Sequence, residues 1–368
     1  METNTIIAGI SHGDINGIGY EVIIKSLMDN MINDICVPVV YGSPKVAAYH
    51  RKALNINNFS FNNIRSPEEA NHKKANMINC LDDNIRVELG KSTEQGGEAA
   101  LISLERAVDD LLNGKINVLI TAPIDKKNIQ SEKFTFKGHT EYLKSKANAA
   151  DVLMFMISEN MRIGFATGHV PLNMVSGLLT IELLVRKLKL MHQSLMVDFG
   201  IRKPQIAVLG LNPHAGDSSL LGTEEAEIII PAMKQCEREG IMTFGPFPAD
   251  GFFGAGSFTR FDGILSMYHD QGLAPFKALS FDSGVNFTAG LPFVRTSPVH
   301  GTAFHIAGKG EASENSFRQA LYAACSILRN RQKYADLTKD PLKKQDIEIH
   351  TDKVDELPPE IFNTEQQL

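Results

Sequence analysis

Short apolar runs alternate with amphipathic segments along most of this chain. Helices are predicted where apolar residues recur every three or four positions, and strands where β-branched and other apolar residues are contiguous. The predicted strands are 5–10, 36–41, 118–121, 161–166, 206–211 and 264–268, and the predicted helices are 21–27, 44–52, 98–112, 141–146 and 315 to about 331. Residues 55–83 are polar and rich in Asn, which indicates loops and short edge strands. The alternation of strand and helix predicts a layered α/β fold with a largely parallel sheet.

Three of the predicted strands are each followed by a histidine in a turn that contains Gly or Pro. These histidines are His169, His214 and His269. Ligands of open α/β sheets bind at the carboxyl ends of the strands. Three imidazoles with an open fourth position form a catalytic metal site. A single histidine is more often a core or surface residue, and these three are too far apart in sequence to form a local motif. The sequence therefore leaves a metal site and three unrelated histidines as alternatives.

Residues 264–310 concentrate polar side chains between short apolar runs, which predicts an active site. The polar positions are His269, Asp270, Lys277, Asn286, Arg295 and the run His300, Gly301, Thr302 and Ala303. Upstream, Asp250 is the ionisable residue of the loop 244–251. It is either the polar residue of a turn or a proton acceptor beside the metal.

Two further turns each allow a structural and a functional interpretation. Glycines 13, 17 and 19 follow the first strand, but their spacing is not that of GxGxxG, and no GK[ST] follows. This turn is either a phosphate cradle or a tight turn that lets the chain approach another backbone. In the segment Gly138-His139-Thr140, Thr140 either caps the helix that follows or contributes to a phosphate contact at the helix N-terminus.

Composition and charge exclude some classes of binding partner. The chain has 368 residues, a net charge of −6 and a pI near 6.0, so it lacks the basic surface that nucleic-acid binding requires. The apolar runs are too short to span a bilayer, and the N-terminus has no basic start before an apolar core, so we expect a cytoplasmic protein. The four cysteines form no CxxC pair and are interpreted as structural thiols. Residues 332–368 are predicted to be a peripheral extension.

Nine motifs spread over the chain resemble those of one known family. They are GDINGIGYE, GKSTEQGGEAA, TAPIDK, FKGHTEYL, TGHVPL, GLNPHAGD, GPFPADGFF, YHDQGLAPFK and GLPFVRTSPVHGTAFHIAGKG. From about residue 6 to residue 329 the chain resembles the 4-hydroxythreonine-4-phosphate dehydrogenase family of pyridoxal phosphate biosynthesis.

The resemblance implies a fold like that of the isocitrate and isopropylmalate dehydrogenases, with two α/β/α domains and a cleft between them. Residues 1–130 and 290–331 would form the first domain, on the cofactor side. Residues 131–289 would form the second, which carries the metal, the substrate and the dimer contacts, and residues 332–368 would be a C-terminal extension.

The resemblance also implies a homodimer with a shared active site, NAD as cofactor and a divalent metal. The metal ligands would be His169, His214 and His269, the last from the neighbouring subunit. The substrate contacts would be His139, Thr140, Lys277, Asn286 and Arg295. The loop from His300 to Ala303 would surround the adenosine half of NAD. Histidine ligands favour zinc over magnesium, with manganese or cobalt as further candidates.

The expected reaction is the oxidation of 4-phosphooxy-L-threonine to a β-keto acid that decarboxylates to 3-amino-2-oxopropyl phosphate. Lys277 and Asp250 are the candidate bases, and Arg295 and Lys277 would bind the substrate's carboxylate or phosphate. The closest alternative substrate is a phosphorylated four-carbon sugar acid, threonate or erythronate 4-phosphate. A metal-dependent phosphohydrolase and a catalytically silent binding module are alternatives from other classes.

The first motif departs from the family pattern, which has Pro-Ala at Ile15-Asn16 and Pro at Tyr20. A shift of this turn would alter the adjacent substrate or cofactor pocket, so both substrates stay open.

Overall fold

The computed structural model describes residues 5–82, 84–340 and 342. Within these residues twelve strands form one sheet. The strands are β1 (Ile7–Ser11), β2 (Val37–Gly42), β3 (Asn62–Ile64), β4 (Asn76–Asn79), β5 (Val118–Thr121), β6 (Leu153–Ile157), β7 (Arg162–Phe165), β8 (Gln205–Leu209), β9 (Met242–Phe247), β10 (Gly263–Ser266), β11 (Val285–Ala289) and β12 (Val294–Pro298).

Ten α-helices of the described residues connect and cover these strands. They are α1 (Gly19–Leu27), α2 (Pro44–Ala53), α3 (Glu94–Leu112), α4 (His139–Lys146), α5 (Val175–Leu178), α6 (Ile181–Val197), α7 (Ile230–Arg238), α8 (Ala249–Gly254), α9 (His269–Ser280) and α10 (Asn315–Thr338). Helix α3 begins before the predicted residue 98 because the Thr93 hydroxyl accepts a hydrogen bond from Gly96 N at 3.1 Å.

The sheet is mostly parallel, as the alternation of strand and helix predicted. Its strand order is β3-β4-β2-β1-β5-β12-β11-β6-β7-β10-β8-β9. Strand β11 runs antiparallel to both β12 and β6, and β6 runs antiparallel to β7. The other pairings are parallel. The predicted α/β class is therefore confirmed, and the antiparallel strands lie in the middle of the sheet.

Helices pack against both faces of the sheet. Alternate residues of a strand point to opposite faces, so Val40 of β2 joins one apolar cluster while Val39 and Tyr41 join another. Leu265 and Ile264 of β10 are divided in the same way. Burial on both faces explains why the central strands read as continuous apolar runs.

The proposed division into domains matches the strand order but remains a prediction. Strands from residues 1–130 and 290–331 occupy one half of the sheet, from β3 to β12. Strands from residues 131–289 occupy the other half, from β11 to β9. The predicted boundary therefore falls between β12 and β11.

Several local predictions were wrong. Thr140 does not cap α4: the helix begins at His139, Gly138 is its N-cap residue, and there is no side-chain cap. Helix α10 continues to Thr338, so residues 332–338 are helical and do not belong to a peripheral tail. Part of 244–251, expected to be loop, forms β9 and α8. Residues 341 and 343–368 of the predicted extension lie outside the described part of the chain.

The four cysteines are free thiols, and Cys36, Cys236 and Cys325 are buried. No helix in the described part of the chain is long and apolar enough to cross a membrane.

Candidate active site

A cavity of about 300 Å³ opens at the middle of the sheet, between its two halves. Its wall is formed by the turn after β5, the start of α4, helix α9 and the strands β11 and β12. The predicted site residues that line it are His139, Thr140, His169, His269, Lys277, Asn286, Arg295, His300 and Gly301. We refer to this cavity as the cleft. The residues predicted to bind substrate therefore lie together.

Arg295 is a buried cation without a carboxylate partner in the described residues. Its side chain, on β12, is 2% exposed, and its guanidinium donates to Thr121 Oγ1 at 2.6 Å and to Thr288 Oγ1 at 3.3 Å. Burial lowers the pKa of Arg295 to about 10, which the Glu141 carboxylate partly offsets, so the guanidinium is charged at neutral pH. Hydroxyl groups orient this charge but do not neutralise it. An anionic ligand in the cleft would supply the missing counter-charge.

His139 is half-buried beside Arg295 at the first position of α4. Burial, and then the positive charges of Arg295 and Lys126, hold the pKa of this imidazole well below its usual value of 6.5. Its Nε2 atom has no hydrogen-bond partner among the described residues. A neutral imidazole with an unpartnered buried nitrogen can hydrogen-bond a ligand in the cleft.

His169 and His269 lie side by side, with ring centroids 5.2 Å apart. They follow β7 and β10, which are adjacent parallel strands. The Nδ1 atom of His269 lies 2.7 Å from Asp270 Oδ1, an arrangement that fixes the ring and leaves Nε2 available as a ligand. The pKa of His169 is lowered, first by burial and then by Lys126 and His269, which keeps a lone pair available at neutral pH. The donor chemistry of this pair fits a transition metal.

His214 is placed differently from the other two histidines. It follows β8, which pairs with β10, so the strands β7, β10 and β8 are neighbours and end at one edge of the sheet. His214 is exposed, however, and does not line the cleft. The described residues of one chain contain no group of three His, Cys, Asp or Glu side chains that could hold a metal. Within one chain His269 lies beside His169, whereas His214 does not line the cleft, and the assignment of these three histidines as metal ligands stays a prediction.

Asp250 also lies outside the cleft. It is an exposed residue in the first turn of α8, and α8 contacts the turn that carries His214. His214 and Asp250 therefore share one surface of the chain. Lys277 lines the cleft and Asp250 does not, and the role of Asp250 as a base remains a prediction.

The loop predicted to bind NAD is divided between two environments. His300 and Gly301 line the cleft, where His300 Nε2 is buried without a partner among the described residues. Thr302 and Ala303 do not line the cleft, and Thr302 contacts the glycine turn of residues 13–19: Ile18 N donates to Thr302 O at 3.0 Å. His300 thus offers a hydrogen-bonding group to a ligand in the cleft, while Thr302 anchors the loop.

The structure supports the second interpretation of the glycine turn, a tight turn that lets the chain approach another backbone. A Cβ atom on Gly17 would lie 2.8 Å from Thr302 O, and one on Gly19 would lie 2.3 Å from His12 O. Gly13 has φ +71° and would place its Cβ 2.2 Å from Pro123 O. The glycines therefore allow the turn to pack against two other backbone segments, at Pro123 and Thr302, and against His12, which directly precedes it.

The residues that depart from the family pattern are structural here. Tyr20 is stacked between His12 and His50, with ring centroids 5.1 Å apart in each case, and its hydroxyl accepts from Ser43 N. Asn16 donates to Thr93 Oγ1 at 2.8 Å and accepts from Glu88 N at 2.7 Å. Ile15, Asn16 and Tyr20 are buried, and none of them lines the cleft.

Two polar residues of the site were not assigned from the sequence. Lys126 and Glu141 line the cleft. Each lies inside a motif that was noted, TAPIDK or FKGHTEYL. Their positions just after strands or at helix starts were the available signal.

Comparisons with known proteins agree on one family. A family model described as "Pyridoxal phosphate biosynthetic protein PdxA" matches residues 34–324. A 4-hydroxythreonine-4-phosphate dehydrogenase from Bacteroides thetaiotaomicron is 54% identical over 96% of this chain and 97% of its own. A putative D-threonate 4-phosphate dehydrogenase from Oceanobacillus iheyensis is 38% identical, covering 87% of this chain and 97% of its own. The crystal structure of a 4-hydroxythreonine-4-phosphate dehydrogenase from Klebsiella pneumoniae superposes with a TM-score of 0.77 at 33% identity, covering 89% of this chain and 98% of that chain.

Proposed function

Because this chain belongs to the family of the pyridoxal phosphate biosynthetic protein PdxA, we propose that it is an NAD-dependent, divalent-metal-dependent dehydrogenase of 4-phosphooxy-L-threonine. The product would be a β-keto acid that decarboxylates to 3-amino-2-oxopropyl phosphate, a step of pyridoxal 5'-phosphate biosynthesis. The observation that carries the proposal is the cleft itself, where an unneutralised buried guanidinium lies in one cavity with a pair of histidines.

Anion recognition by this chain follows from the charges in the cleft. The substrate carries a carboxylate and a phosphate, and the cleft presents the cations of Arg295, Lys277 and Lys126. The planar guanidinium of Arg295 can make a bidentate contact, while each lysine acts as a point charge. His139 and Asn286 add neutral hydrogen-bonding groups beside these cations. A doubly anionic substrate thus finds partners for both of its charged ends.

The imidazoles of His169 and His269 would hold the metal, with Asp270 orienting His269. When bound, the metal supplies Lewis-acid stabilisation of the substrate oxygen and NAD supplies the hydride acceptor. Nitrogen ligands favour zinc, or manganese or cobalt, over magnesium. The His300–Gly301 end of the loop lines the same cleft, which supports a nicotinamide cofactor close to the substrate.

We propose a homodimer in which His214 and Asp250 of one chain complete the cleft of the other. Both residues are exposed at the edge of the sheet where His169 and His269 lie, yet neither reaches the cleft of its own chain. Large apolar side chains are exposed next to these histidines in the chain, notably Leu172 at 71% and Leu220 at 78%. Apolar side chains exposed in this way are suited to a protein interface.

The base that accepts the hydroxyl proton would be Lys277 of the same chain, when its amine is neutral, or Asp250 of the partner. Lys277 lines the cleft, with its Nζ 5.8 Å from the centre of the Phe281 ring. A base must lie within hydrogen-bond reach of the proton it removes. The position of Lys277 in the cleft favours it over Asp250 within one chain.

The second candidate function is oxidation of threonate or erythronate 4-phosphate. It is supported by the relative named putative D-threonate 4-phosphate dehydrogenase, which is 38% identical to this chain. That substrate class replaces the ammonium group with a hydroxyl and keeps both anionic ends, so the cations of the cleft serve either one. The family match favours both dehydrogenases over the phosphohydrolase and the silent binding module.

The test is the appearance of NADH absorbance with metal-replete enzyme and NAD. One reaction contains 4-phosphooxy-L-threonine, and a parallel reaction contains threonate 4-phosphate. We expect turnover of the amino-acid phosphate. NADH formed only with the sugar-acid phosphate would replace the proposed substrate, and phosphate release without NADH would replace the reaction class.

A further inference from the structure

The turn that carries His214 is held in an unusual backbone conformation. Six consecutive residues have positive φ, namely His214 (54°), Ala215 (52°), Gly216 (85°), Asp217 (43°), Ser218 (57°) and Ser219 (72°). Five of these six have a side chain, and residues with side chains rarely adopt the left-handed region. Such segments persist where the surrounding structure fixes them, and they are concentrated at functional sites. Something must therefore hold this turn.

The carboxylate of Glu225 lies under the turn. Its side chain is 4% exposed, and its Oε1 accepts from Leu211 N at 2.7 Å and from Asn212 N at 2.8 Å. Its Oε2 accepts from Asn212 Nδ2 at 3.0 Å. Hydrogen-bond donors on the chain just before His214 thus surround a buried carboxylate. Glu225 fixes the backbone through which β8 enters the turn.

Two glycines leave the space that this carboxylate occupies. A Cβ atom on Gly210 would lie 3.0 Å from Glu225 Oε1 and 2.9 Å from Ala215 Cα. A Cβ atom on Gly216 would lie 2.8 Å from Glu225 Oε2. Gly210 precedes His214 in the chain and Gly216 follows it, and both pack against the Glu225 carboxylate.

The segment before the His214 turn is also hydrogen-bonded to a side chain close to His269. Gln271 Nε2 donates to Gly210 O at 2.6 Å, and Gln271 Oε1 accepts from Met267 N at 2.7 Å. Gln271 lies on α9, two residues after His269. Glu225 itself begins a π-helical turn, Glu225–Ile229, of a kind that is frequent at functional sites. The base of the His214 turn is thus joined to the strand that leads to His269.

We propose that Glu225 is a positioning residue that holds His214 in the orientation in which it binds the divalent metal. This inference rests on the proposed function. Glu225 does not touch the metal or the substrate: it acts by fixing the backbone of residues 210–216. The negative charge is required because three N–H groups converge on one carboxylate, whereas a Gln side chain would place its own NH₂ against the Asn212 amide.

The test uses the full-length enzyme with Co²⁺ as the metal. For Glu225→Gln we expect a 10- to 100-fold weaker Co²⁺ affinity, which is typical for the loss of an outer-shell group, and an altered visible absorption spectrum. Glu227→Gln is the matched control, because Glu227 is an exposed residue of the same π-helical turn. The control is expected to keep the wild-type affinity and spectrum.

A second variant tests the inference in case Glu225→Gln does not fold. Gly210→Ala keeps the carboxylate but places a methyl group against it and against Ala215, so it should weaken Co²⁺ binding in the same direction. Wild-type affinity and spectrum in a folded Glu225→Gln protein would overturn the inference, as would wild-type binding by Gly210→Ala if Glu225→Gln does not fold. His214→Ala separates the two proposals: if it too binds Co²⁺ normally, the three-histidine site fails, and if it alone loses Co²⁺, only the role of Glu225 fails.

Discussion

At the scale of single residues, the proposed binding of an anionic substrate depends on Arg295. A charge that is 2% exposed and bonded to hydroxyl groups alone is costly unless a ligand neutralises it. The sequence could not show that Arg295 is bonded to hydroxyl groups alone, because a buried arginine more often has a carboxylate partner.

The substitution Arg295→Lys tests this role. We expect the KM for the phosphorylated substrate to rise by about tenfold and the KM for NAD to change little, because losing one charged hydrogen bond costs about 1.5 kcal/mol or more. Steady-state kinetics with each substrate varied in turn would measure both constants. Lys127→Ala, an exposed cation outside the cleft, is the control. An unchanged substrate KM would show that Arg295 does not bind the anion.

For His214→Ala we expect loss of bound metal and a fall in turnover of more than about 100-fold, because a three-histidine site would lose one of its ligands. The fold should remain, since His214 is exposed. Metal content and circular dichroism would be measured together. His72→Ala, another exposed histidine, is expected to behave like the wild type. Retention of metal and near-normal activity by His214→Ala would refute the assignment.

Buried histidines make stability depend on pH. Burial lowers the pKa of His50 from 6.5 to about 4, so between these values the unfolded chain binds a proton that the folded chain does not. The contribution of His50 to the free energy of unfolding is therefore fully present above about pH 6.5 and is lost as the pH falls towards 4.

For His50→Gln, which keeps a donor for Ile15 O, we expect the slope of unfolding free energy against pH to fall by up to about 1.4 kcal/mol per pH unit in this window. Urea unfolding at several pH values would measure the slope. The exposed His72, replaced by Gln, serves as the control. Equal slopes for His50→Gln and wild type would contradict the prediction.

At the scale of elements, the glycine turn contacts the loop from His300 to Ala303, which is proposed to bind the cofactor. Residues 13–19 contact residue 302 through backbone atoms, so the turn acts on the cleft indirectly. This explains why the substitutions Asn16 and Tyr20 are accommodated: both side chains are buried in contacts away from the cleft.

Replacing Gly17 with Ala should displace the Thr302 end of this loop, because the new Cβ would lie 2.8 Å from Thr302 O. We expect a stability loss of about 1–3 kcal/mol from overpacking and a KM for NAD that rises several-fold more than the KM for substrate. Thermal melting and kinetics would measure the two effects. Gly254→Ala, whose Cβ would meet no atom within 4 Å, should change neither constant. Equal effects on both KM values would argue against a cofactor role for the loop.

At the scale of the whole molecule, the separation of His214 from the other histidines predicts a specific pattern of complementation. If His169 and His269 of one chain meet His214 of the other, a mixture of His214→Ala and His269→Ala chains contains dimers with one intact site. Random pairing would restore about one quarter of the wild-type activity. The measurement is turnover after the two inactive variants are unfolded together and refolded.

A second mixture distinguishes which histidine crosses the interface. His169→Ala with His269→Ala should stay inactive, because each cleft then lacks one of its own two ligands. If His269 were the residue donated by the neighbour, as the resemblance implied, this mixture would instead recover activity. Restoration in neither mixture would indicate that the site is not shared.

The sequence by itself determined the α/β class, most of the strands and helices, and the membership of the family. The periodicity of apolar residues is a local property and the motifs are contiguous, so both can be recognised from the sequence alone. The family resemblance also predicted residues that line the cleft, such as His139, Asn286 and Arg295, and the placement of polar residues after strands indicated His169 and His269. The antiparallel pairing of β11 was not predicted, because strand direction depends on partners distant in sequence.

Only the tertiary structure decided which of these residues meet. It placed His169 beside His269 and left His214 outside, since that depends on the order of three strands in the sheet and on the left-handed turn after β8. It also decided that Arg295 has no carboxylate partner in the described residues and that Glu225 supports the His214 turn. Contacts of this kind join residues far apart in the chain, and their geometry is set by packing that no local pattern encodes.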